Sequence, residues 1–424
     1  MDTGPEVFLD FLFLTSLFFI PKPRRFVKVE FEKVKYLFDR ISWPLGVLGI
    51  WPRKKTFSGQ LKLTIFLTYF TCHLSMQLLD LATVMGSLEL VILNLTETAF
   101  QTMAICRIII IRFGETTGKI IDAIDEDVVI ENFKDPQELR ILHRRSAMAE
   151  KFYRLGTKLA AVTALMYYMT PLQTYLLTRM TNGTAVLVNP YRIYHFIDLS
   201  SIERAAIVYV CQFPMMYTGI SFVTSYSILL AIVMNISAQL SILTRRVSTM
   251  KSDISDPRDF FRRHTRQHIK ILLVAQWLND AFHLALLYDL FATTILLGLI
   301  IYQFLLHVDE ADAFGVFGLA TYIFSMTVLV FTNCFMGECL NDECAALLNA
   351  YYECNWYEMS PFCKKALIIC METTQEPIRL TADHEIIDGV RVNATDNDLM
   401  SNRYNCCTKN CMGNVENILI LRKI

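Results

Sequence analysis

Cys334-Phe335-Met336-Gly337-Glu338, Ala350-Tyr351-Tyr352-Glu353-Cys354-Asn355-Trp356-Tyr357, Lys364-Lys365-Ala366-Leu367 and Gln375-Glu376-Pro377-Ile378-Arg379-Leu380-Thr381-Ala382 follow one another between residues 334 and 382. Together they decide the fold. Residues 314–336 are apolar, so the stretch reads as a segment leaving a membrane, followed by two helices. Ser360-Pro361 separates the two, an N-cap residue followed by a proline at the first helical position. Pro377 stops the second helix.

Composition points the same way. Of 424 residues, 53% are hydrophobic and 12% aromatic, and mean hydropathy is +0.36. Charged residues are 19%, below the ~25% usual for soluble domains. A net charge of -1 supplies no basic field, and no nucleic-acid partner is expected. Cys72, Cys106, Cys211 and Cys334, of 12 cysteines, sit in apolar runs where a small soft side chain packs well. The rest fall between Cys339 and Cys411. A disulfide framework is weakly supported, because no short secreted module is present. Cys406, Cys407 and Cys411 lack the paired spacing of a zinc site, so neither metal nor cofactor is expected.

The apolar patch at 6–20 has no basic residues before it and is shorter than the ~20 residues that span a bilayer. It reads as an interfacial or packed helix. Residues 21–60 are basic and aromatic and complete a cytoplasmic or interfacial N-terminal segment, 1–60. A six-span bundle is expected over 61–336, with segments near 61–82, 88–111, 157–177, 205–236, 283–306 and 314–336. The loops at 112–156 and 237–282 are rich in Lys and Arg, whereas 307–313 has none and holds Asp309, Glu310 and Asp312. The positive-inside rule therefore puts the N-terminus and the two basic loops in the cytoplasm. Asn182-Gly183-Thr184 then lies outside as a glycosylation sequon. The expected class is an all-α polytopic membrane bundle of inverted topology.

The second basic loop is expected to be largely helical, with Asp256 as cap and Pro257 in the first turn. His264 and His268 stand at i, i+4 on that helix; without the intervening Glu of a metalloprotease motif they read as a solvated polar face. No Walker loop, dinucleotide fingerprint or nucleophile elbow occurs, and no enzyme activity is expected. Glu97 and Arg107 are ionisable groups within the second apolar segment. Arg107 is near its cytoplasmic end, where it reads as snorkelling. Glu97 is deeper, beside Thr96, Thr98, Gln101 and Thr102, and is either the polar wall of a ligand cavity or a packing seam.

The 334–382 string resembles the C-terminal signature of insect odorant receptors. Cys334, Gly337, Glu338, Trp356, Tyr357, Lys365, Leu367, Gln375, Pro377, Leu380, Thr381 and Ala382 match it in order. Gly49-Ile50-Trp51-Pro52 before the first span is similar to that family, as are Asn189-Pro190-Tyr191-Arg192, Phe196-Ile197-Asp198, Tyr209 and Gln212. The resemblance covers roughly 31–382. It implies a subunit of a ligand-gated, non-selective cation channel in the plasma membrane of olfactory sensory neurons. The partners it implies are a co-receptor, in a hetero-tetramer, and small volatile ligands. A membrane-embedded pocket would draw on aromatic and methionine side chains in the outer halves of the spans, with one or two polar groups. The candidates are Thr96, Glu97, Tyr168, Met169, Phe213, Met216, Tyr322 and Met326. Residues 337–382 would form a cytoplasmic anchor, its helix near 338–353 ended by Trp356 and Tyr357 as assembly residues. After Ala382 the family continues into an apolar pore helix. Here 383–424 is a polar tail whose only apolar run is Ile418-Leu419-Ile420-Leu421, so the seventh span is expected to be incomplete. A gustatory receptor and a G-protein-coupled receptor are the alternatives.

Overall fold

The computed structural model describes residues 31–53, 56–133, 135–181, 187–194, 201–249, 257–307, 313–354, 356–375 and 378. The patch at 6–20, the sequon at Asn182, the cap at Asp256, Pro377 and the tail 383–424 lie outside them. Among the described residues there is no strand.

After a helical stretch at 31–35 come two short helices, α1 (Leu37–Ile41) and α2 (Trp43–Val47). Then come α3 (Phe57–Thr83), α4 (Leu88–Phe113), α5 (Glu115–Asp127) and α6 (Pro136–Met180). The chain continues through α7 (Ile202–Cys211), a 3-10 turn at Phe213–Met216 and α8 (Tyr217–Ser248). It ends in α9 (Pro257–His307), α10 (Ala313–Glu353) and α11 (Pro361–Gln375). The fourth expected span is thus broken where Pro214 withholds an N–H, and the fifth begins at Pro257.

Three helices far outrun a bilayer. At ~1.5 Å per residue, the 45 residues of α6, 51 of α9 and 41 of α10 reach well beyond a ~30 Å hydrocarbon core. One consequence corrects the sequence reading: 338–353 is no separate helix. It continues α10 without a break through Gly337, because Met336, Leu340, Leu347 and Tyr351 carry one buried face across the junction.

Helix α8 is the axis. Ile228, Leu229, Ile232 and Val233 are all buried, and α6, α10, α4 and α9 pack around it. Among the described residues, four helical stretches are long and apolar enough to cross a membrane. The stretch holding α8 has 89% of its most apolar window buried, against 28% for α3 and 17% for the stretch from Gly318 to Glu353. Surface that apolar and that bare needs lipid against it. Helices α4 and α6 fall below the same apolarity, because they carry the polar residues of the interior.

Ion pairs sort the loops into two ends. At one end Arg245 binds Asp135 (Nε to Oδ2, 2.9 Å), Arg246 binds Glu138 (2.7 Å), Lys270 binds Asp127 (2.7 Å) and Arg145 binds Glu343 (2.5 Å). The same end gathers Arg53, which pairs with Asp122 (2.7 Å) and Asp125 (2.5 Å). The two basic loops and the N-terminal segment therefore share one side. At the other end the Tyr194 N–H bonds the Met76 carbonyl (3.0 Å), pinning the 187–194 strap across α3. His268 is buried against the Tyr351 ring (centroids 6.1 Å apart) rather than solvated: the anchor end of α10 covers that face of α9.

Gly49 has φ of 71°, and a Cβ there would stand 2.0 Å from the Gly59 carbonyl oxygen. Gly49→Ala is therefore expected to cost more than about 1 kcal/mol, read as a lower thermal midpoint and faster proteolysis around residue 53. Asp135 caps α6, accepting from the Gln137 N–H (3.0 Å) and from Arg245. The Gln137 N–H, with Arg245 second, holds its carboxyl below the usual range. Its stabilisation is present above the unfolded value and lost as pH falls through the lowered folded one. On acidification the native chain should lose more of its thermal midpoint than Asp135→Asn does.

Candidate functional site

A cavity of about 740 Å³ lies between α4, α6, α8 and α10, capped by Pro190 and Tyr191 of the strap. Its size falls within the ~300–1,000 Å³ of small-molecule sites. The walls are mostly apolar and aromatic: Phe100 meets Phe222 (5.2 Å between centroids) and Tyr322 edge-on (6.4 Å). Small residues make the space. Where α6 crosses α8, Gly219 lies against Ala160, and a Cβ on Gly156 would come within 2.9 Å of Val223.

Of the eight candidate ligand-binding residues, Thr96, Glu97, Met216, Tyr322 and Met326 stand in the wall. Tyr168, Met169 and Phe213 do not. Tyr168 is buried outside it, its hydroxyl donating to the Tyr209 carbonyl (2.8 Å) and its ring meeting Phe213 edge-on (5.7 Å). Met169 and Phe213 are exposed on the outside of the bundle. The reason is helical phase. Positions 159, 160, 163, 164, 166, 167, 170 and 171 of α6 face the cavity, which turns 168 and 169 away. The small-residue stripe of Gly156, Ala160, Thr163 and Ala164 carries that phase in the sequence and points to Met166 and Tyr167.

Glu97 holds the outer end together. Its carboxylate accepts from the Tyr167 hydroxyl, the Arg192 backbone N–H (3.0 Å) and the Gln77 amide (3.3 Å). The Arg192 guanidinium turns instead to Asp80 (2.8 Å), which also accepts from Asn94 (2.9 Å). Gln212 grips Tyr191 on both sides of its backbone, accepting from its N–H (3.2 Å) and donating to its carbonyl (2.8 Å). Asn94, the first residue of a sequon, is thus an interior polar residue. The resemblance-marked segment 189–192 and Gln212 prove to be parts of one lid.

The cavity floor holds what sequence reading missed. Arg107 does not snorkel: its side chain is fully buried and pairs with Asp289 of α9 (Nε to Oδ2, 2.7 Å). The guanidinium lies 4.7 Å from the Tyr226 ring centroid and 5.5 Å from that of Phe222, both cavity-lining rings. Tyr226 donates to Asn333 (2.6 Å) on α10. One ion pair thereby ties α4, α8, α9 and α10 beneath the cavity. The lone acidic residue among the apolar residues 284–306 was its signal. Trp356 and Tyr357, the candidate assembly residues, are exposed in a 3-10 turn between α10 and α11.

A multi-pass helical bundle with a lidded interior cavity has the architecture of a membrane receptor, and comparison with known proteins gives its kind. The model of the 7tm Odorant receptor family matches residues 87–386, and the chain belongs to that family. Odorant receptor 2a of Drosophila melanogaster is 30% identical over 84 residues, 20% of this chain and 21% of that one. The odorant receptor coreceptor of Aedes aegypti is 25% identical over 126 residues, 29% of this chain and 26% of that one. These matches span about a quarter of the relatives' length or less. The structure of the olfactory receptor OR5 from Machilis hrabei superposes with a TM-score of 0.71 at 12% identity, covering 83% of this chain and 92% of that one. At that identity the likeness shows the fold. A second structure of the same receptor, in complex with eugenol, matches with the same TM-score.

Removing one member of the buried pair leaves the other charge uncompensated, costing about 3–5 kcal/mol. Arg107→Met and Asp289→Leu should each lower the thermal midpoint of the detergent-solubilised chain. The double variant should recover most of the loss, because no charge is then stranded.

Proposed function

We propose that this chain is an odorant-receptor subunit that binds a small volatile in the 740 Å³ cavity and contributes to a ligand-gated, non-selective cation channel. The observation that carries the reading is the cavity itself, apolar and lidded, inside a bundle of this family. It supplies an apolar body site whose lining includes Thr163 and Thr218, their hydroxyls buried without a hydrogen-bond partner. An olfactory receptor of the same fold has been solved in complex with eugenol.

The partner is a co-receptor subunit, in a hetero-tetramer; the likeness to odorant receptor coreceptors supports this. The basic end of the bundle is cytoplasmic, and the strap end with the Asn182 sequon faces outward. The charge sorting at the two ends supports that orientation. Six spans cross the plasma membrane of an olfactory sensory neuron, and the elongated ends of α6, α8, α9 and α10 with α11 form the cytoplasmic anchor. Trp356 and Tyr357 face a neighbouring subunit there. Binding shifts the population toward an open pore by as much as the ligand prefers that state.

Co-expression with a co-receptor, with currents recorded against a panel of volatiles, tests the reading. Odorant-evoked cation current is expected. Ala164→Trp, which fills the cavity from α6, should abolish the response while surface expression persists. A response unchanged by that substitution places the ligand elsewhere.

A further inference from the structure

Glu97 is the one acidic side chain in the described cavity wall, and no Lys, Arg or His joins it there. Its three described hydrogen-bond donors are a hydroxyl, a backbone N–H and an amide, all neutral. The nearest described cation, Arg192, directs its guanidinium to Asp80. The group Asp80, Glu97 and Arg192 therefore has a formal charge of -1 at the outer end of an apolar space. One turn along the same face of α4 stands Gln101, which is 3% exposed and also lines the cavity. Its carbonyl oxygen is sealed from the cavity and meets the His73 ring, its hydrogen-bond partner on α3.

The Glu97 carboxylate and its three donors thus form the acidic end of the cavity. Aromatic rings surround them. Tyr167 and Tyr191 lie 5.6 Å apart, and Phe100 meets Tyr322 edge-on; all four line the same cavity. A head group that only donates, carries a positive charge and tolerates ring faces satisfies every part of this arrangement. A hydroxyl head offers one donor and leaves the charge uncompensated. The Thr163 and Thr218 hydroxyls lack partners, but an unpaired hydroxyl costs less than an uncompensated carboxylate.

We propose that the Glu97 end of the cavity recognises a protonated amine, its ammonium bonded to the Glu97 carboxylate and its apolar body lying toward Phe222. This rests on the cavity being the ligand site and adds the chemical class of the ligand.

The test is a binding measurement on the full chain in lipid nanodiscs, which needs no channel activity. Tryptophan fluorescence or thermal shift is titrated with a panel of amines from trimethylamine to 2-phenylethylamine, and with the isosteric alcohol 2-phenylethanol. The amine is expected to bind roughly tenfold more tightly than the alcohol. Glu97→Gln should erase that preference. Tyr322→Leu, which removes a ring face from the cavity wall and leaves the Glu97 latch on the strap intact, should weaken the amine several-fold and the alcohol less. Equal or tighter binding of the alcohol, a preference that survives both substitutions, or no binding by any amine overturns the proposal. Binding of the alcohol alone leaves the odorant-receptor reading standing. Amine binding without evoked current in the co-expressed pair supports the amine site and counts against the channel reading.

Discussion

Lipid turns this bundle inside out. A bilayer offers no partner to a polar side chain, so α3, α9 and α10 present apolar faces outward and the polar residues of α4 and α6 are driven toward one another. Every feature of the site follows from that pressure. Asn94, Thr98 and Gln101 are buried on α4. The Arg107 and Asp289 pair is sealed under the cavity, and the Asp80, Glu97 and Arg192 group closes its top. Between these two polar layers the small residues of α6 leave room, and the room is apolar.

The two layers differ in what they hold. The lower one is an ion pair with no exposed atom to speak of, backed by two aromatic rings, and it links four helices. The upper one ties a strap of irregular backbone to helices through side chains and backbone N–H groups. Irregular backbone at that depth is tolerable only where such partners exist. A ligand that enters or leaves must disturb the upper layer. The lower layer joins the elements that any change in packing has to move.

Much of this was legible beforehand. Apolar runs and loop charges marked the bundle and its two ends, and the helix start at Pro257 could be read from one residue. Glu97 was visible as a functional candidate because a carboxylate in an apolar run is costly. What sequence did not yield was phase and long-range pairing. Tyr168 and Tyr167 are neighbours of one type, and only the Gly156 to Ala164 stripe tells which faces inward. Arg107 near a helix end reads as snorkelling until Asp289, 182 positions later, is seen beside it. His268 reads as solvated until α10 is known to run on past Gly337 and cover it. In each case the deciding partner is remote in sequence, where local pattern carries no information.

The central claim is that polar residues of α4 and α6 line a ligand-accessible space inside a lipid-covered bundle. Thiol accessibility in intact cells tests it most directly, with the exposed Cys72, Cys211 and Cys334 first replaced. A water-soluble methanethiosulfonate should modify Thr163→Cys and Ser325→Cys in the cavity wall and leave Ile65→Cys and Phe291→Cys unlabelled on the outer faces of α3 and α9. Labelling of the outer positions with the cavity positions inert would contradict the account.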